Sequence, residues 1–238
     1  WLDCLAQDKS LGRSIIFLGN HANNPKFETK IRRGFNVPVT TPGFLLNKYS
    51  MGLFNSSYFN FKKLLHKSDT VNYDSYFFPL DNIGNWNRLY GRDGFLQYQF
   101  VVPSETALKS ITEVLKKVSA AGKGSFLSVL KKFGKANKNW LSFPLEGYTL
   151  TLDFKREKSL FPLLDKLDEI VLRHGGRLYL AKDARMTEST FKQSYPNWEK
   201  FLELKKSIDP ENIFGSLQSD RVGLTGEKDR KKKDRKKA

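Results

Sequence analysis

From residue 95 onward the alternation of apolar and polar positions spells out a folding unit. In residues 95–102, FLQYQFVV, an extended chain puts Leu96, Tyr98, Phe100 and Val102 on one side and Phe95, Gln97, Gln99 and Val101 on the other. Pro103 closes this strand. Ser104 is placed as a helix N-cap, and Leu108, Ile111, Leu115 and Val118 follow at helical spacing until Gly122 ends the run. Residues 126–130 predict a second strand, the polar KANKN run at 135–139 a loop, and residues 148–154 a third strand. Leu160, Leu163, Leu164, Leu167 and Val171 line one face of a second helix that stops at Gly175-Gly176. RLYLA, at 177–181, predicts a fourth strand.

The order strand, helix, strand, strand, helix, strand predicts an α+β fold. It is an antiparallel sheet with both helices on one face, the ferredoxin-like split βαβ arrangement. The other sheet face is then a floor shared by Gln97, Gln99, Thr149 and Thr151. Two amides on one face, flanked by apolar groups, suit a pocket for a hydroxyl-rich ligand. They equally suit an ordinary half-exposed sheet face, and the strand by itself leaves both readings open.

Residues 1–94 are less periodic. Residues 14–18, SIIFL, predict a strand, residues 20–45 loops, and residues 45–58 a short helix or strand. The aromatic-bearing run at 77–91, FFPLDNIGNWNRLYG, reads either as a lid over a site or as an Ω-loop that only packs. Further on, a helix over 198–207 is expected to stop before Asp209-Pro210. Trp1-Leu2-Asp3-Cys4-Leu5 resembles the middle of a strand, and the first methionine is Met51. A piece of a longer polypeptide, or one half of a divided protein, is expected.

With 238 residues, 39% hydrophobic and 19 of them phenylalanine, the chain can build a substantial core. No stretch approaches the roughly 18 apolar residues of a membrane span, and no signal peptide is seen. A cytoplasmic place, or a peripheral one at the inner face of the membrane, is expected. The lone Cys4 forbids an internal disulfide. His21, His66 and His174 lie far apart, so no metal site is expected. The net charge of +16 invites a nucleic-acid reading, but residues 227–237 alone hold eight Lys/Arg against three acids. That run has no apolar residue and reads as a disordered basic tail over 225–238.

No Gly-rich dinucleotide or Walker loop, Ser-centred elbow, Cys/His pair or carboxylate dyad stands out. What the strand ends do carry is polar and cationic: Gln97, Gln99, Lys131, Thr149, Thr151, Tyr179 and Lys182. A lysine just past a buried strand, as Lys182 follows RLYLA, is either a solvated end-of-strand residue or a cation aimed at developing negative charge.

The runs LDNIGNWNRLYG and GFLQYQFVVP, then SFLSVLKKFG, LSFPLEGY, GGRLYLAKDAR and DPENIF, resemble the C-terminal half of FAD-linked oxidases of the vanillyl-alcohol oxidase superfamily. The likeness extends from LGRS at 11–14, with Trp1-Leu2-Asp3 before it, to about Leu224. Within the superfamily the motifs at 80–103 and 176–185 lean toward enzymes that oxidise the 2′-hydroxyl of a polyprenyl-phosphoryl ribose. The D-arabinono-1,4-lactone and L-gulonolactone oxidases are the alternative. The resemblance implies a substrate-binding domain at 1–176 and, at 177–224, a segment that packs on an FAD-binding domain absent from this chain. It implies FAD as cofactor, with Tyr179 and Lys182 at the flavin and Lys182 also catalytic. Gln97, Gln99, Lys131, Phe133, Thr149 and Thr151 fall on substrate-pocket positions, and Gly84, Trp86 and Arg88 on a lid.

The implied partners are the flavin-binding domain or subunit, a lipid-linked or small sugar substrate, and a short-chain dehydrogenase-type reductase. Departures stand in the pocket: mycobacterial members carry cysteine at the position of Thr151, asparagine at Thr149 and tryptophan at Tyr148. A different substrate is therefore compatible with the pattern. A non-catalytic basic module binding nucleic acid or a membrane is the rival reading. It fits the residues less well, because the open sheet face carries Gln and Thr where an RNA-binding sheet carries aromatics.

Overall fold

A computed structural model describes residues 1–23, 34–65, 70–78, 82–125 and 128–226. The basic run at 227–238, part of the loop region at 24–33, residues 79–81 of the aromatic run, and residues 126–127 of the expected second strand lie outside them.

In the N-terminal part Leu2 bridges Ser14, and this single bridge replaces the strands expected at 1–5 and 14–18. Its anchor is Asp3, buried and bound to the Arg13 guanidinium and the Asn55 amide. Ile15 exchanges two backbone bonds with Trp1 and the Phe17 carbonyl accepts from the Tyr76 hydroxyl, but residues 15–18 form no strand; Ile16 and Leu18 are exposed. Strand β1 (Phe35–Asn36) pairs in parallel with β2 (Ile83–Gly84). Between them run helices α1 (Lys48–Leu64) and α2 (Tyr73–Phe77). The region left open as helix or strand at 45–58 is thus the long α1. Asn47 starts it with a capping box, its side chain accepting from the Tyr49 and Ser50 amides while Ser50 returns the bond.

The main sheet contains β3 (Phe95–Pro103), β4 (Ser128–Phe133), β5 (Gly147–Lys155) and β6 (Arg177–Leu178). Their spatial order is β4-β5-β3-β6, with every pair antiparallel. Helix α3 (Ser104–Ala120) joins β3 to β4, and α4 (Phe161–Arg173) joins β5 to β6. Tyr98, Phe100 and Val102 from β3 and Leu150, Leu152 and Phe154 from β5 form one core with Val114, Val118, Leu164 and Leu167 from the helices. Both helices therefore cover the same sheet face, and the fold is α+β with the expected split βαβ order.

Four details depart from expectation. The second strand runs Ser128–Phe133 rather than over 126–130. Ser104 is the first helical residue, with no side-chain cap bond at this end. Leu108 is 84% exposed; Leu115 and Val118 are buried and Ile111 packs against the core as expected, and the buried face of α3 begins at Ala107 and continues through Ser110 and Val114. The fourth strand keeps only Arg177–Leu178 in the ladder. Gly176 lets that pairing form, since a Cβ there would lie 2.5 Å from the Val101 carbonyl oxygen. After a last bond from Tyr179 N to Gln99 O the chain turns away as a 3-10 turn, Leu180–Lys182.

Beyond it, α5 (Glu188–Ser194), α6 (Trp198–Ile208) and α7 (Leu217–Arg221) pack back on the main core, α5 through Phe191 with Tyr195 just after it, α6 through Trp198, Phe201 and Leu202, and α7 through Val222 at its end. Among the described residues no helix is long and apolar enough to cross a membrane, and no cluster of three or more His, Cys, Asp or Glu could hold a metal ion.

Candidate functional site

The sheet face opposite the helices is built in cross-strand rows. Val101 of β3 faces Thr149 of β5 and then Lys131 of β4; Gln99 faces Thr151 and Val129; Gln97 faces Asp153. The period of two fixes this sharing, because residues paired across a ladder project to the same side. Gln97, Gln99, Thr149, Thr151, Lys131 and Phe133 therefore all belong to one face, as the alternation predicts.

Only part of that face is open. The β4–β5 connection folds Phe143 and Leu145 onto Val101, with Phe133 and Tyr179 packed beside them, as a second apolar cluster. Phe133 meets Phe143 edge-on, ring centroids 5.8 Å apart, and Phe143 stacks on Tyr179 at 4.4 Å. Phe133 is thus a support for this cluster. At the other end of the face Phe95 packs against Trp86 at 4.9 Å and Tyr90 at 4.8 Å.

At the free edge of β3 lies a cleft with Gln97, Gln99, Tyr179, Lys182, Asp183 and Arg185 on its polar side and Leu96, Tyr98, Leu164, Leu178 and Met186, which continue into the helix-covered core, on its apolar side. It exists because β6 is so short: once the chain leaves β3, the edge of β3 below Gln99 has no neighbour on that side. Four predicted residues, Gln97, Gln99, Tyr179 and Lys182, converge here. Thr149, Thr151 and Lys131 do not line the cleft. Thr149 is fully buried and accepts a hydrogen bond from Gln99 Nε2 at 3.2 Å, Thr151 is 9% exposed, and Lys131 lies exposed on the edge strand. Thr149 fixes the Gln99 amide from beneath, and Thr151 lies buried opposite Gln99 in the ladder.

The run expected as a lid is fastened where it is described. Gly84 pairs with Asn36, Trp86 lies on Phe95, and the Arg88 guanidinium donates to the carbonyls of Val37 and Pro38 at 2.9 and 2.8 Å.

Lys182 is held by its neighbours in sequence. Asp183 accepts from the backbone amides of Arg185 and Met186 through one oxygen, and pairs with Arg221 and Gln218 through the other. Arg185 reaches Asp165 and Asp168, both at 2.7 Å, and Asp168 also accepts from the Tyr98 hydroxyl. Burial lifts the Asp168 carboxyl to about 6 against the pull of Arg185 and Tyr98. These anchors flank the lysine, so its backbone is fixed while its side chain remains exposed.

Asp153 was missed from the sequence. Its signal was present: it stands two residues beyond Thr151 and so shares the face of Gln97 and Gln99. It is fully buried, and neither carboxyl oxygen meets a hydrogen-bond partner in good geometry. Burial raises its pKa to about 6, while the Gln97 amide and the Lys182 ammonium draw it down.

The chain thus brings two amides, a tyrosine and a lysine together where a sheet edge opens. The family to which it belongs is identified by its sequence: residues 98–222 match the model of the D-arabinono-1,4-lactone oxidase family, and the chain belongs to that family. It is 34% identical over 233 residues to decaprenylphosphoryl-beta-D-ribose oxidase of Mycolicibacterium smegmatis, covering 94% of this chain and 50% of that protein. It is also 36% identical over 115 residues to the uncharacterized protein in the mprA 5′ region of Streptomyces coelicolor, covering 48% of this chain and 31% of the relative. The chain spans half or less of the length of these relatives.

Proposed function

We propose that this chain forms the substrate-binding part of an FAD-dependent oxidoreductase that converts a sugar CH–OH to a carbonyl. The favoured substrate class is a polyprenyl-phosphoryl ribose oxidised at its 2′-hydroxyl. The observation carrying this reading is the convergence of Gln97, Gln99, Tyr179 and Lys182 on one cleft, in a chain with 94% of its length matched to a sugar oxidase.

FAD, when bound by a partner domain, supplies the hydride acceptor that these side chains lack. The residues present suit one edge of such a cofactor: Tyr179 offers an aromatic wall backed by Phe143, and Lys182 an exposed cation. In this reading Gln97 and Gln99 donate to and accept from sugar hydroxyls and orient the carbinol carbon. Lys182 holds positive charge where negative charge develops in the transition state. The segment at 177–224 docks on the flavin-binding domain, which accounts for the 67–83% exposure of Ile213, Phe214 and Leu217.

The matched family favours a second substrate class, an aldonolactone. The two separate by competition: a polyprenyl-phosphoryl ribose and D-arabinono-1,4-lactone are offered to the chain joined to its flavin-binding half. Bleaching of flavin absorbance by the first supports the reading above, and bleaching by the lactone alone overturns its substrate class. Lys182→Ala in the same complex is expected to slow bleaching about 100-fold, as for loss of one preorganised charge-stabilising donor. An unaltered rate would overturn the role of the lysine.

A further inference from the structure

A carboxylate withdrawn from water needs a compensating partner or must take up a proton. Asp153 is in that position, at 0% exposure with both oxygens lacking a partner in good geometry. Its neighbours are few. Gln97 faces it directly across the ladder, Ser125 Oγ accepts from its backbone amide, and Tyr90 lies near enough that the carboxylate helps raise the phenol pKa. Lys155, two residues along the same face, is committed to the Gly43 carbonyl at 2.6 Å. Lys182, arriving from the turn after β6 to line the cleft beside Gln97, is the cation whose charge draws on Asp153. Lys182 and Gln97 line the same cleft, so both groups that Asp153 addresses are exposed to whatever enters it.

We infer that Asp153 is the positioning residue for Lys182: its ionised carboxylate draws the exposed ammonium inward beside the Gln97 amide, and protonation releases it. The inference rests on the reading of Lys182 as the working cation of the cleft. The pull is electrostatic, and burial makes it stronger than the same pair would show in water. One other carboxyl titrates in the same range: Asp168, lifted by burial to about 6, which reaches the cleft through Arg185 and keeps its proton equilibrium in Asp153→Asn, so that variant separates the two. Burial raises the Tyr90 phenol far above that range and the Cys4 thiol, which also lies near Tyr90, to about 11.

The test is a proton–nitrogen NMR titration of the lysine ammonium groups in the full chain, with the Lys182 signal assigned by its loss in Lys182→Arg. The signal is expected to shift with a midpoint near pH 6, the value to which burial lifts Asp153, and to stay flat through that range in Asp153→Asn. A Lys182 signal without a step in the unaltered chain, or a step that survives in Asp153→Asn, would overturn the inference. Should Asp153→Asn fail to fold, Asp153→Glu takes its place: a displaced midpoint supports the inference and an unmoved one overturns it. No flavin is needed for this readout. A failed titration therefore removes the role of Asp153 while the hydride-transfer reading keeps its own test.

Discussion

Phe143 lies stacked on Tyr179, ring centroids 4.4 Å apart and planes inclined by 27°. The contact joins the β4–β5 connection to the residue that makes the last sheet bond before the chain turns away. It ties the wall of the cleft to the apolar cluster above it, which includes Val101 and Leu145.

Removing that ring empties the smaller core. Phe143→Ala is expected to destabilise the chain by about 3–5 kcal/mol, the usual range for a buried phenylalanine. Urea denaturation followed by far-UV circular dichroism measures the loss. A change below about 1 kcal/mol would show that the cluster does not contribute as packed.

Asp183 fixes the turn carrying Lys182 through two backbone amides and a guanidinium. Asp183→Ala leaves these donors without their acceptor and is expected to cost about 2–3 kcal/mol. Hydrogen exchange at the Arg185 and Met186 amides reports it locally, and both should exchange at least tenfold faster. Unchanged protection would mean that the turn is held by Arg185 alone.

Arg88 fastens residues 82–91 to the carbonyls of Val37 and Pro38. Arg88→Ala removes both bonds, each worth about 1.5–3 kcal/mol as a hydrogen bond to a charged group when sheltered and less at this partly exposed site. Limited trypsin digestion should cut at Arg92 sooner in the variant. Equal cutting rates would place the anchor elsewhere.

The buried Asp153 gives stability an unusual pH dependence. Its folded-state pKa, about 6, lies above the 3.8 of an aspartate in water. The folded chain therefore binds the extra proton, so the stability contributed is complete below about pH 4 and is lost as pH rises through 6. Relative to Asp153→Asn, the unaltered chain should lose on the order of 2–3 kcal/mol between pH 4 and 7, most of it between pH 4 and 6. Comparing the two by denaturant melts cancels the shared contribution of the +16 background charge. A pH-independent difference between them would rule out the elevated pKa.

The sheet and its two helices were legible because residues 95–178 alternate or recur cleanly, with turn formers between the segments. Periodicity places Gln97 and Gln99 on the same face as Thr149 and Thr151, and the register bears this out. It says nothing about depth, which is why both threonines lie beneath the floor while the amides reach the cleft. The capping of α1 by Asn47 was overlooked since the aromatic run after it lacks a clear apolar stripe. Asp153 escaped notice for a different reason: in LTLDF a single acid reads as the polar half of an alternation, and only the fold reveals that this half is sealed from water. The early end of β6 was hidden as well, because RLYLA alternates to its last residue while the ladder ends at Leu178 and the last backbone bond at Tyr179.

That early departure makes chain length a determinant of chemistry at the cleft. The lysine's reach is measured out from the final tether at Gln99, over Leu180 and Ala181. Inserting or deleting one residue there would swing the cation away by roughly a third of a turn with every side chain in the pocket unaltered. Relatives that differ in what they accept thus have a way to diverge through spacing alone, with no exchange of functional groups.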